Sequence, residues 1–245
     1  MERGNTILKL RRIHKSFSGH NGELKVLQDI SFQVCAGEII ALIGPSGCGK
    51  TTLMSIIAGL IEPDQGEVMR EAGLRLAYVF QEPRLLPWKT VEANVSFVQR
   101  NFLQQSEAEA IKSDLLRRAG LAEYRDAYPG QLSGGMKQRL ELVRALSVKP
   151  ELLLMDEPFK SLDLALQHQL RELLLTEHAR AGFAVLLITH DPEEAVMLAD
   201  RVLVLSDKPS AVHEEIVIDV PLRERSRKDG EIFAKAEQIT DYLLS

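Results

Sequence analysis

The sequence predicts an α/β fold whose main sheet is mostly parallel, with an antiparallel β region at the N-terminus and a helical block inserted into the core. Three observations predict it. Apolar runs of strand length ("EIIALI" at 38–43, "ELLLMD" at 151–156, "FAVLLITH" at 183–190) alternate with helix-like stretches. Fully apolar strands of this kind indicate a parallel sheet covered on both faces. The first run leads directly into GPSGCGKT at 44–51, and from Thr90 to Lys149 the pattern is helical.

In chain order, "TILKLRRI" from Thr6 and "LKVLQDISFQV" from Leu24 read as strands, separated by the turn-forming "SGHNGE". The buried strand at 38–43 follows, and a helix opens near Lys50 and runs to about Leu60. "EPDQGEV" reads as a turn and "LRLAYVF" at 74–80 as another strand. In "SEAEAIKSDLLRRAGL", Ser106 offers an N-cap with Glu109 three residues on. A helix from Gly135 to Val148 stops before Pro150, and another from about Asp163 to Arg180 joins two of the apolar strands. "EEIVIDVPL" and "DGEIFAKAEQITDYLL" close the chain as a strand and a helix. The expected organisation is a single domain over 1–245: a nucleotide-binding core from 1–87 and 151–220, a helical insertion at 88–150 and a short tail at 221–245.

Bulk properties bound the function. Hydrophobic residues make up 45% and charged residues 27%, ordinary for a globular protein, and a formal net charge of −5 argues against a general nucleic-acid binder. The two cysteines, Cys35 and Cys48, read as free thiols in a reducing compartment. "MERGNTILKLRRIHKSF" lacks the apolar core of a leader, and no apolar run approaches the roughly 20 residues of a membrane span. Any membrane role is therefore expected to act through a partner.

The residues from Gly44 to Thr51 fit GxxxxGK(S/T) at every fixed position. Between a strand and a helix, such glycines let successive backbone N–H groups converge on one anion, and the helix N-terminus adds partial positive charge. Lys50 is expected to reach β- and γ-phosphates, and the Thr51 hydroxyl to sit on Mg²⁺. A structural turn is the alternative, but a chance match in a chain this long arises on the order of one time in a hundred. Asp156 and Glu157 end an apolar strand: one carboxylate to hold Mg²⁺, the other to orient and deprotonate the attacking water. A plain strand-ending turn is the competing reading of "DEP". His190 closes another strand on the loop's edge of the sheet, where it could donate to a γ-phosphate; the other histidines read as solvated or packed. Ser133, Gly134 and Gly135 precede a helix and would make a second anion site without a lysine of its own, with a plain turn before the helix as the alternative.

Together these residues resemble the nucleotide-binding subunit of an ABC transporter over nearly the whole chain. The motifs stand in the family's order: the phosphate loop, "FQEPRLLPW" around Gln81, LSGGM at 132–136, "LLLMDEP", "SLD" at 161–163 and His190. The resemblance implies a P-loop NTPase (RecA-like) core, ATP and Mg²⁺ as cofactors, and a head-to-tail homodimer. In that dimer LSGGM of one copy closes over ATP on the phosphate loop of the other. Gly44, Pro45, Ser46, Gly47, Cys48, Gly49, Lys50, Thr51 and Thr52 would cradle the phosphates. Phe17 would stack on adenine, with ordinary packing as its alternative. Thr51, Gln81 and Asp156 would hold the metal, Gln81 would also touch the attacking water and couple the site to the membrane subunit, and Asp163 would shape the neighbouring site.

The Gln81 segment resembles importers of nitrate, sulfonate, taurine and related solutes. Leu86 and Trp88 would dock a permease, placing the subunit on the cytoplasmic face of the membrane with a solute-binding protein as an indirect partner. Trp88 packed beneath the helical insertion is the alternative. Met136 stands where glutamine is more widespread, and Lys160 and Ser161 where many members have Gly and Ala. No nucleic-acid partner is expected; a soluble ATPase acting on ribosomes or DNA is the competing class.

Overall fold

The computed structural model describes residues 4–19, 22–160, 162–226 and 228–244. The chain divides into two units, one formed by Met1–Leu74 with Ala184–Ser245 and the other by Arg75–Phe183.

The first unit begins with β1 (Thr6–Gly19) and β2 (Gly22–Cys35), then β3 (Ile39–Ile43), α1 (Lys50–Ile57) and β4 (Gln65–Arg70). Strands β2, β1 and β4 form an antiparallel sheet in that order. The expected turn at "EPDQGEV" is corrected here, because its second half belongs to β4, with Arg11 opposite Glu67 and Lys9 opposite Met69. Gly66 makes this pairing possible. Its φ is +92°, and a Cβ there would lie 2.2 Å from the Arg12 carbonyl oxygen, so no other residue allows the strands to close.

This unit also holds β7 (Ala184–Ile188), α6 (Pro192–Leu198), β8 (Arg201–Leu205), β9 (Val212–Val217) and α7 (Gly230–Leu244). Strand β3 runs parallel to β7 on one side and to β8 on the other, and β9 pairs antiparallel with β8. Every residue of β3, β7 and β8 is buried, as expected of parallel strands shielded on both faces.

The second unit holds β5 (Leu76–Val79) parallel to β6 (Leu152–Asp156), with the α-helices α2 (Val91–Gln99), α3 (Gln105–Arg118), α4 (Gly134–Leu146) and α5 (Leu164–Ala181) among its described residues. Thr90 caps α2 by accepting from the Ala93 N–H. Ser106, the expected cap of α3, is corrected: the helix starts earlier, Gln104 occupies the cap position, and Ser106 lies in the first turn. Glu109 is drawn to Lys112 instead, with its carboxylate 2.7 Å from the ammonium. Lys112 also meets Glu92 at 2.8 Å, which ties α2 to α3 through a buried ammonium.

Candidate nucleotide-binding site

The phosphate loop is built by the close packing around it. The chain leaves β3 at Gly44, where a Cβ would sit 2.9 Å from the Leu205 carbonyl oxygen and 3.1 Å from the Cys48 sulfur. Gly47 and Gly49 take φ values of +79° and +118°, which curl the backbone back on itself before α1 begins at Lys50. Cys48 is buried and fills the floor of the loop, whereas Ser46 and Thr51 are exposed and Thr52 is half-buried. The Lys50 ammonium folds into the loop and donates to the Gly44 and Pro45 carbonyl oxygens at 2.8 and 3.0 Å. A buried cation, a helix N-terminus and glycine-curled backbone at one point suit a polyphosphate.

His190 lies on the same sheet edge. Leu42 of β3 pairs with Ile188 of β7, and the Thr189 N–H donates to the Leu42 carbonyl at 3.2 Å. His190 is therefore two residues past the pairing, level with Gly44, and it is exposed. The neighbouring Asp191 caps α6, accepting from the Glu193 and Glu194 N–H groups at 2.9 and 3.3 Å. Phe17 sits on the antiparallel sheet with 42% of its surface exposed, which removes it from the core, and the Lys15 ammonium lies 5.5 Å from its ring centroid.

In the second unit, Asp156 ends β6 and is buried, and it accepts from the Tyr78 hydroxyl at 3.4 Å. Burial, reinforced by the Asp156 charge, pushes the Tyr78 phenol well above its ordinary value, so Tyr78 stays a neutral donor. Glu157 follows with a φ of +45°, a strained conformation for a residue with a side chain. Val79 of β5 pairs with Met155 of β6, so Gln81 and Glu157, each two residues on, share one sheet edge.

The expected second anion site is a capped helix start. Ser133 accepts from the Met136 N–H at 3.3 Å, and Gly134 and Gly135 open α4. A Cβ on Gly135 would lie 2.7 Å from a Leu166 methyl, so glycine lets α4 approach the first turn of α5. Asp163 caps that turn by accepting from the Leu166 N–H at 2.9 Å, and Ser161 lies outside the described residues. Trp88 is 70% exposed, so it does not pack beneath the helices.

Several supporting residues went unread in the sequence. Gln138 donates to the Gln81 carbonyl at 3.2 Å and Arg144 to the Arg84 carbonyl at 2.7 Å, which moors the Gln81 segment to α4. Asn94, fully buried, bonds Leu86, Lys89 and Thr90 and fixes the loop that carries Trp88. For the two α4 residues, polar side chains at 138, 141 and 144, spaced three apart on one helix face, were the available signal.

Among the described residues no group of three or more His, Cys, Asp or Glu side chains gathers to hold a metal. Mg²⁺ needs no such cage, because it binds through one or two protein groups together with substrate phosphates. The exposed Thr51 hydroxyl and the Asp156 carboxylate are donors of the right hard-oxygen type.

Comparison with known proteins extends this picture. The family profile described as ABC transporter matches residues 27–160. An aliphatic sulfonates import ATP-binding protein of Pseudomonas syringae pv. tomato is 41% identical over 235 residues, covering 96% of this chain and 97% of that protein. One from Mycobacterium avium is 44% identical over 237 residues, covering 96% and 90%. Among solved structures, a dimeric ATP-binding cassette in a post-hydrolysis state with ADP and Pi is similar at a TM-score of 0.74. It is 27% identical, over 86% of this chain and 99% of that one. An ATP-binding subunit of an ABC transporter gives 0.76 at 29% identity, over 94% and 99%.

Proposed function

This chain belongs to the ABC transporter ATP-binding family, and from that premise we propose that it is the energy-coupling ATPase of an importer for a sulfonate, taurine, nitrate or a related small solute. ATP hydrolysis is its chemistry. The sulfonate-import names of relatives near 40% identity support the direction and the solute class, and favour transport over a ribosome- or DNA-directed ATPase.

The observation that carries the site reading is the Lys50 ammonium turned into a loop curled at Gly47 and Gly49. In this reading the backbone from Gly44 to Thr52 takes the ATP phosphates, Lys50 neutralises the β- and γ-groups, and Phe17 offers its exposed face to adenine. Thr51, Asp156 and Gln81 hold Mg²⁺, which when bound offsets phosphate charge. Glu157 accepts the proton of the attacking water while His190 steadies the γ-phosphate. Ser133, Gly134 and Gly135 of a second copy close over the same nucleotide, and Asp163 shapes the neighbouring site. ATP binding thereby stabilises a closed dimer, and hydrolysis releases it. The loop fixed by Asn94 presents Trp88 and Leu86 to a permease, which holds the protein at the cytoplasmic membrane face. The helical block at 88–150 is the insertion that carries Trp88 and the signature helix.

Two measurements test the proposal. Affinity purification from detergent-solubilised membranes of its host should recover a stoichiometric multi-span permease; recovery with ribosomes alone overturns the transport assignment. Glu157→Gln should still bind ATP while turnover falls by about 10²- to 10⁴-fold. Near-normal turnover would remove Glu157 from the base role.

A further inference from the structure

Lys160 is the charged residue of the strand-end segment 156–160 that the proposed mechanism does not use. Its ammonium lies 2.5 Å from the Glu157 Oε2, and the Glu157 side chain is only 15% exposed. The contact is built in by the backbone. Glu157 adopts φ +45°, and the Lys160 N–H donates to the Glu157 carbonyl at 3.2 Å, closing a turn that sets both side chains on one side. Phe159, inside that turn, is buried, and the Gln167 amide donates to its carbonyl at 3.1 Å, pinning the segment to α5. The Arg171 guanidinium lies 5.3 Å from the Phe159 ring centroid and covers it. Lys160 is thus held against the carboxylate by a fixed turn, although its own side chain is 44% exposed.

We propose that Lys160 is a positioning residue that restrains Glu157, holding the oxygen that would take the water's proton and slowing ATP turnover until the pair opens. The inference rests on Glu157 acting as the base. In the step it governs, the water oxygen bonds to the γ-phosphorus, the bridging P–O bond breaks to leave ADP, and the water's proton passes to Glu157. A carboxylate oxygen occupied by an ammonium must part from it, or turn, before it receives that proton.

The test uses the full chain and measures ATP turnover against ATP concentration, with ATP affinity from equilibrium dialysis. Lys160→Met should raise kcat about fivefold, the effect of removing a half-exposed ion pair. KM and the dialysis affinity should stay unchanged. Lys160→Arg should restore the wild-type rate, because a guanidinium can make the same pair. In a Glu157→Gln background the methionine change should have no effect, as expected when one residue acts only through the other. An unchanged or lowered kcat in Lys160→Met, with Glu157→Gln slow, overturns the restraint and leaves the base assignment standing. A fast Glu157→Gln overturns both. Equal thermal midpoints of the variants exclude misfolding as the cause.

Discussion

Replacing Gly49 with alanine should damage this protein more than the same change two residues earlier at Gly47, and the structure says by how much. Both glycines have positive φ, +79° at Gly47 and +118° at Gly49, so both changes introduce backbone strain of roughly 1–3 kcal/mol. Only Gly49 adds a steric clash. Its new Cβ would lie 2.7 Å from the Val26 Cγ1 and 3.0 Å from the Leu27 Cδ2, whereas at Gly47 nothing lies within 4 Å. Val26 is β-branched and buried, and Leu27 is buried too, so neither side chain can swing aside cheaply. Overpacking of this kind adds about 1–3 kcal/mol. Taking the middle of each range, about 2 kcal/mol for strain alone and about 4 kcal/mol for strain with overpacking, and roughly 2–4 °C per kcal/mol for a chain of this size, Gly47→Ala should lower Tm by about 4–8 °C and Gly49→Ala by about 8–16 °C. Differential scanning calorimetry on both variants decides the matter. Equal losses would refute the packing argument, since strain alone would then account for both.

Two further outcomes are expected. Ser133→Arg removes a cap acceptor and places a large cation at the start of α4; it should abolish ATP-dependent dimerisation on size exclusion while leaving ATP binding by the monomer largely intact, and loss of monomer binding would refute the assignment of this motif to a second copy. Glu92 is held below its ordinary 4.5 by the hydrogen bond from Lys112, then by that from Arg125. A depressed carboxylate contributes stability above 4.5 that is lost as pH falls through its lower folded value. The Tm of Glu92→Gln should therefore lie below wild type at neutral pH, with the gap narrowing under acid; a constant gap would mean that the carboxylate's charge is irrelevant.

What the sequence disclosed was whatever chemistry compresses into adjacent residues. GPSGCGKT announces a strand, a curled loop and a helix in eight letters, because each glycine answers a local demand on φ, and the structure has those elements in those places. Apolar runs at 39–43, 152–156 and 184–188 became wholly buried strands for an equally local reason. The reading failed where a distant partner decided the outcome. "EPDQGEV" carries every mark of a turn, yet its second half became β4 because β1 offered an unpaired edge and Gly66 let the chains meet. "RVLVL" passed unnoticed although β8 lies directly beside β3, since five residues without flanking motif chemistry draw little attention. Ser106 is not the cap because α3 starts two residues sooner, with Gln104 in the cap position, and Glu109 pairs with Lys112. The residues of the proposed site divide along the same line. Lys50, Asp156 and Glu157 stand in motifs whose spacing is set by chain geometry. Gln138, Arg144 and Asn94 act on backbone atoms elsewhere in the chain, so their roles exist only once folding brings those carbonyls to them. Lys160 shows the boundary between the two. Its three-residue spacing from Glu157 was visible in the letters, but only the positive φ at Glu157 turns that spacing into an ion pair.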